Sequence, residues 1–282
     1  MQTTTDTSVV DVEQTFEEPG KRRAFALKAR GGIFYLSLLL AGVMAVVFLP
    51  ELFATLLTGW TAEGAAELGI HRLHIMGIAT VVAVFLLGLF VQAIRPTQRV
   101  AAMWGAFVII LVATAGTIWY GVGRPEEVIP FFLLTSIALI AHPAGRQVLR
   151  RSNSYSPALL ALVAVAAVPL GTFIATQLSL TTSTVDPHAL DGHYVMMVAL
   201  AVAPLAYGLA AAVGFRGWRL AAWFAGAPMA YYGVLSIAFP MQSSSAGVVW
   251  GALAILWAVA FVAVAEYSRI SDSSLVRRTI GE

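Results

Sequence analysis

Eight stretches of about 20 apolar residues, separated by short polar links, leave this chain few choices of fold. Inside a bilayer no water is available to satisfy backbone N–H and C=O groups, so a spanning stretch must satisfy its own, and the α-helix does so within one segment. The stretches lie near 32–57, 70–94, 101–122, 128–143, 157–180, 187–214, 219–239 and 246–267. Of the 282 residues, 59% are hydrophobic and 11% charged, against roughly a quarter charged in ordinary soluble domains, which excludes a soluble globular chain. The expected fold is an all-α membrane protein of eight transmembrane helices. Its first partner is the lipid bilayer, and no nucleic-acid signal is present.

The charges between the stretches give an independent reading of the threading. With the N-terminus inside, 15 of the 17 Lys and Arg fall on the cytoplasmic side, beginning with the cluster Lys21, Arg22, Arg23, Lys28 and Arg30. The other face keeps Arg72 and Arg124 and gathers Glu63, Glu67, Glu126, Glu127, Asp186 and Asp191. One missed span would invert every later loop. The distribution therefore predicts a multi-pass protein of the cell membrane with both termini cytoplasmic. The first stretch follows about 30 polar residues with no small-residue cleavage site in position, so it reads as a retained span. Prolines 50, 169, 204 and 228 fall inside spans and are expected to bend them without breaking them.

The two halves echo each other. His74 in the second span corresponds to His193 in the sixth, and Arg99-Val100-Ala101-Ala102 before the third corresponds to Arg219-Leu220-Ala221-Ala222 before the seventh. Four spans per unit is an even number, so the second copy enters the membrane in the same orientation as the first: a parallel repeat. The organisation read from this is a disordered, acidic and Thr-rich N-terminal tail over 1–31, broken at Glu17-Glu18-Pro19-Gly20. A four-span unit over 32–151, a second over 152–268 and a cytoplasmic tail over 269–282 follow.

Four of the five histidines fall at the outer ends of spans two and six. His71 and His74 are three apart and share a helical face, with Glu67 one turn before. Asp186-Pro187 reads as an N-cap followed by proline at the first helical position, with His188 and Asp191 in the first turn. Met196 and Met197 lie three and four residues beyond His193, on its face. Three readings are open. The residues form hydrogen bonds between helices. Alternatively, His74 and His193 ligate one haem b, or His71, His188, Met196, Met197 and Asp191 join them around a copper ion. A third possibility is an ion-coupled pathway, the usual hint of ionisable groups in a membrane. The absence of cysteine removes thiolate sites and iron–sulfur clusters. His142, ending the fourth span beside Pro143, reads as a cap, and Glu266 as a structural partner of Arg269. No Walker, GxSxG or HExxH motif is present, so no reaction is assigned. The alternatives to a cofactor-binding role are a small-solute or ion transporter and a partner-binding membrane protein, with no partner indicated.

With four spans used twice and His71-Arg72 at the outer start of the second, the layout resembles haem A synthase, an eight-span haem enzyme. That family pairs a histidine of the second span of each half with one from the fourth. Here the eighth span has none and His142 stands at the opposite end, so the resemblance implies the layout and not the activity. Through Asp186-Pro187-His188, Gly192-His193-Tyr194 and the acidic, Thr-rich tail, the chain also resembles uncharacterised eight-span membrane proteins of haloarchaea, which implies no known activity.

Overall fold

A computed structural model describes residues 19–150 and 155–280. Among them are ten α-helices and no strand: α1 (Pro19–Thr58), α2 (Ala62–Leu68), α3 (Arg72–Phe90), α4 (Val100–Tyr120), α5 (Pro125–Ile140), α6 (Pro157–Thr181), α7 (Pro187–Leu190), α8 (His193–Ala212), α9 (Trp218–Ala238) and α10 (Gly247–Ile280). Seven helical stretches are long and apolar enough to cross a membrane, among the described residues: Leu27–Thr58, Ala62–Ala93, Val100–Tyr120, Pro157–Thr181, His193–Ala212, Trp218–Ala238 and Gly247–Ser268. This fits a multi-pass membrane protein. The remaining sequence stretch, the fourth, is α5, whose 16 residues make a helix of about 24 Å, short of a hydrocarbon core of about 30 Å.

Two boundaries differ from the sequence reading. The first helix begins at Pro19, so 19–31 is helical and not part of a disordered tail. Inside a helix proline removes one hydrogen bond and bends the run, but at the first position its missing N–H has no intrahelical partner to lose. The acidic stretch before Pro19 lies outside the described residues. The sixth stretch, expected as one helix over 187–214, is divided into α7 and α8 by Asp191 and Gly192. Gly192 adopts φ +73°, and a Cβ there would come within 2.9 Å of the Gly123 Cα, so the turn needs glycine for conformation and for space. Prolines 50, 169, 204 and 228 all lie within continuous helices.

The helices sort into an inner and an outer set. Over its most apolar stretch α8 is 72% buried, while α6 is only 17% buried, so α8 belongs to the interior and α6 offers most of its surface to lipid. Helices α3, α4, α8 and α9 form the inner set. In the first half α1 packs on α3 and α5, and α5 packs on α4; in the second, α6 packs on α8 and α10, and α10 packs on α9. The halves meet where α3 and α4 lie against α8 and α9. At one end of this seam Gly123 N–H donates to the Leu190 carbonyl at 3.0 Å, and at the other Ala101 N–H donates to the Arg216 carbonyl at 2.9 Å. In the middle Tyr207 of α8 is fully buried in a notch formed by Gly88 of α3 and Gly105 of α4, and its hydroxyl donates to the Val84 carbonyl at 3.3 Å.

Helix α5 runs from one end of the bundle to the other despite its length. Glu127 in its first turn lines the same cavity as His193, whereas the Ile140 carbonyl at its last turn accepts a 2.7 Å hydrogen bond from Arg30 of α1. His142, just past that end, is buried, and its Nδ1 accepts from Ala144 N–H at 3.1 Å. Nε2 must then carry the proton, which it donates to Gln92 Oε1 at 3.3 Å. His142 therefore fastens a turn, as a capping residue would. Glu266 accepts from Arg219 Nε at 2.7 Å and from Trp223 Nε1 at 2.9 Å, joining α9 to α10; the side chain of its expected partner, Arg269, lies outside the described ones.

Candidate functional site

The division of α7 from α8 decides the shape of the site, because it lets His188 and His193 approach one point from two elements. Asp186 caps α7 by accepting from His188 N–H at 2.9 Å, with Pro187 at the first helical position. Opposite them, His71 ends a 3-10 turn and His74 lies in the first turn of α3. The four imidazoles form one cluster. Ring centroids are 4.2 Å apart for His71 and His188, 4.6 Å for His74 and His188, and 5.2 Å for His71 and His193. His74 and His193 stack at 5.6 Å with 27° between planes, and His188 and His193 lie 5.9 Å apart.

Counting protons assigns the tautomer of two of these rings in their neutral form. The Asp186 carboxylate accepts at Oδ1 from His188 Nδ1 at 2.8 Å, so in the neutral imidazole the lone pair of His188 sits on Nε2. The Ser244 hydroxyl gives its single proton to Gln177 Oε1 at 2.6 Å and must therefore accept from His74 Nε2 at 2.8 Å, leaving a lone pair on His74 Nδ1. Both lone-pair atoms, His74 Nδ1 and His188 Nε2, are buried without a hydrogen-bond partner among the described residues. An unsatisfied buried acceptor is destabilising by about 1 to 3 kcal/mol. His71 Nδ1 and His193 Nδ1 face each other at 3.4 Å.

The loop between α9 and α10 closes the cluster from above. Ser244 adopts φ +64°, unusual for a residue with a side chain, and its carbonyl accepts from the Tyr232 hydroxyl at 2.7 Å. Gln242 Oε1 accepts from Leu73 N–H at 2.7 Å, satisfying a donor of the first turn of α3. Arg72 is turned away from the cluster: Nε donates to the Gly59 carbonyl at 2.5 Å, and the guanidinium lies 4.2 Å from the Phe239 ring centroid. Asp186 also accepts at Oδ2 from the Tyr194 hydroxyl at 2.7 Å. That bond, followed by those from His188, holds the Asp186 carboxyl down at about 2.

Of the residues the sequence marks as ligands, the structure brings His71, His74, His188 and His193 together. Met197 is fully buried elsewhere, with its sulfur against Gly77 of α3, one turn deeper than His74. Met196 and Asp191 line a neighbouring cavity, Asp191 from its exposed rim. The carboxylate on the cluster is Asp186, which the sequence marks only as a cap. Tyr194, Gln177, Gln242 and Ser244 have no sequence signal beyond being polar in apolar surroundings, Gln177 most plainly. Among the described residues no group of three or more His, Cys, Asp or Glu is set around a common point as a finished metal site would be. Comparison with protein families, with characterised proteins and with solved structures finds no match.

Proposed function

We propose that this chain is an eight-span protein of the cell membrane whose four-histidine cluster binds one transition-metal ion at the outer face. The observation that carries this reading is the pair of buried, partnerless lone pairs on His74 Nδ1 and His188 Nε2. Each ring is held from behind through its other nitrogen, by Ser244 and by Asp186. Metal-bound imidazoles are oriented in this way, with the far N–H donated to a carboxylate or another oxygen. Two nitrogens about 2.0 Å from one tetrahedral ion lie about 3.3 Å apart, and His71 Nδ1 and His193 Nδ1 lie 3.4 Å apart. The other two nitrogens are not set around that point among the described residues, so binding requires the His74 and His188 rings to reorient.

The dimensions favour a bare ion over haem b. A bis-imidazole haem needs two rings end-on at opposite faces of a macrocycle, whereas His188 packs against both His74 and His193, at 4.6 and 5.9 Å between ring centroids, where the macrocycle would have to lie. Copper is the first candidate and zinc the second, because imidazole suits both and copper binds most strongly among the divalent ions. Full-length protein, expressed with copper, zinc and haem supplied and purified in detergent, is expected to carry about one copper or zinc per chain and no haem absorbance. Protein that stays metal-free after mixing with each ion would leave the histidines as hydrogen-bonding groups between helices. A haem band lost in His74→Ala and His193→Ala would replace the ion with a haem.

The eight-span threading and the parallel repeat belong to the same proposal. They are supported by the end-to-end course of α5 and by the matching neighbours of α1, α3, α4, α5 and α6, α8, α9, α10. The repeated segments also meet at the far end of the seam, where a Cβ on Gly217 would come within 2.6 Å of the Gln98 carbonyl. The chain has no cysteine, so Gln147→Cys and Ser183→Cys give single labelling sites after α5 and α6. A membrane-impermeant maleimide applied to intact cells is expected to label Cys at 183 and spare Cys at 147. Labelling of both from one side would mean that α6 does not cross, and the reverse pattern, 147 labelled and 183 spared, that α5 does not.

A further inference from the structure

Beside the histidine cluster, where the first half meets α8 of the second, lies a cavity of about 580 Å³ between α1, α3, α4, α5 and α8. It falls in the size range of small-molecule sites. Its depth is hydrocarbon, with Phe48, Ile78, Val82, Phe85, Ile110 and Phe131 on its walls. The rim is polar: Glu51, Arg124, Glu127, Asp191 and His193. Water is poorly held in so apolar a depth, while Glu51, Arg124 and Asp191 at the rim are exposed. A two-ended molecule, with a hydrocarbon tail and a polar head, matches both parts.

The charges at the rim select the head. Arg124 and Glu127 form an ion pair at 2.9 Å and largely cancel each other. Glu51 and Asp191 remain, so the rim carries an excess of negative charge that repels a carboxylate or phosphate. Hydroxyl and carbonyl heads meet no such barrier: a hydroxyl can donate to the carboxylates, and a carbonyl can accept from an imidazole N–H or from Arg124.

We propose that this cavity binds one neutral, single-tailed membrane amphiphile, its hydroxyl or carbonyl head at the rim beside His193 and Glu127 and its tail between α3, α4 and α5. The assignment rests on membrane residence and not on the metal ion. Two membrane sources share this chemistry, quinone-type carriers and acylglycerols, and the test separates them.

Detergent-purified full-length protein is dialysed to equilibrium against decyl-1,4-benzoquinone, 1-decanoylglycerol and decanoate in turn. At least one of the two neutral probes is expected to bind at least about tenfold more tightly than decanoate, and the tighter of them identifies the source. Ala113→Trp, which fills the α4 wall, should lower that binding at least about tenfold; Val82→Phe does the same from α3 if the first variant fails to fold. Glu51→Gln with Asp191→Asn should bring decanoate to within a few-fold of the neutral probe. Decanoate binding as tightly as both neutral probes to the unaltered protein, or neutral-probe binding unchanged in a folded cavity-filling variant, would overturn the proposal. So would the absence of saturable binding of either neutral probe. Metal content measured on the same samples keeps this outcome separate from that of the ion site.

Discussion

Replacing His188 with alanine is expected to weaken copper or zinc binding by about two orders of magnitude or more. Four-ligand structural zinc sites are worth roughly 10 to 16 kcal/mol, so one ligand in four supplies on the order of 3 kcal/mol, or about a hundredfold. Asp186→Asn is the informative companion. The amide oxygen still accepts from His188 Nδ1, but the charge is gone, and the expected loss is nearer tenfold, the lower end for groups that orient a ligand from behind. Isothermal titration of the metal-stripped protein with each ion reads both values. Equal losses in the two variants would mean that Asp186 does more than orient the ring, and no loss in either would remove His188 from the site.

Asp186 adds a pH signature that does not depend on metal. Its carboxyl titrates at about 2 in the folded protein, below the ordinary 3.8, chiefly through the Tyr194 hydroxyl. A depressed carboxyl stabilises the fold above the unfolded value and loses that contribution as pH falls through the folded one. The loss attributable to Asp186 therefore falls between about pH 4 and pH 2. Tyr194→Phe should move it upward, which melting curves over that range would show against Asp186→Asn, where it is absent.

Periodicity and charge carried the helices, because hydrophobic length and the positions of arginine are local properties. The clustering of the histidines was suggested by their repeated place at span starts. What could not be read was the partner of each one. Asp186 announces itself as a cap through Asp186-Pro187, yet nothing in that dipeptide says that its second oxygen binds Tyr194 and its first the ring of His188. Asp191 looked equivalent because it shares a turn with His188, and only the left-handed turn at Gly192 sends it to the far side. Ser244 bonds His74 across 170 positions of chain and Gln177 across 67. Such contacts are set by how α6, α9 and α10 are arranged around α3. Met197 shows the converse, since sharing a helical face with His193 placed its sulfur one turn too deep, against Gly77.

Gly105→Val is expected to destabilise the bundle by about 3 kcal/mol or more, the upper part of the range for over-packed cores. A Cβ at Gly105 would fall on the ring of Tyr207, which is fully buried and already bounded by Gly88 on the other side. The ring has no free direction in which to move. Tyr207→Ala alone leaves a cavity and is expected to lose about 3 to 5 kcal/mol, as large aromatic truncations do. Combined, the two should fall short of their sum by about 2 kcal/mol or more, because removing the ring removes the clash. Unfolding of the detergent-solubilised variants by denaturant titration measures the cycle, and strict additivity would show that the notch does not seat the ring. The same substitution reports on function at a distance. Tyr207 and His193 stand on one helix, about 21 Å apart along its axis. Pushing α8 away from α4 at Tyr207 should therefore tilt His193 out of register with His74. Metal binding should fall in Gly105→Val and recover in part when Tyr207→Ala is added, although neither residue touches an imidazole.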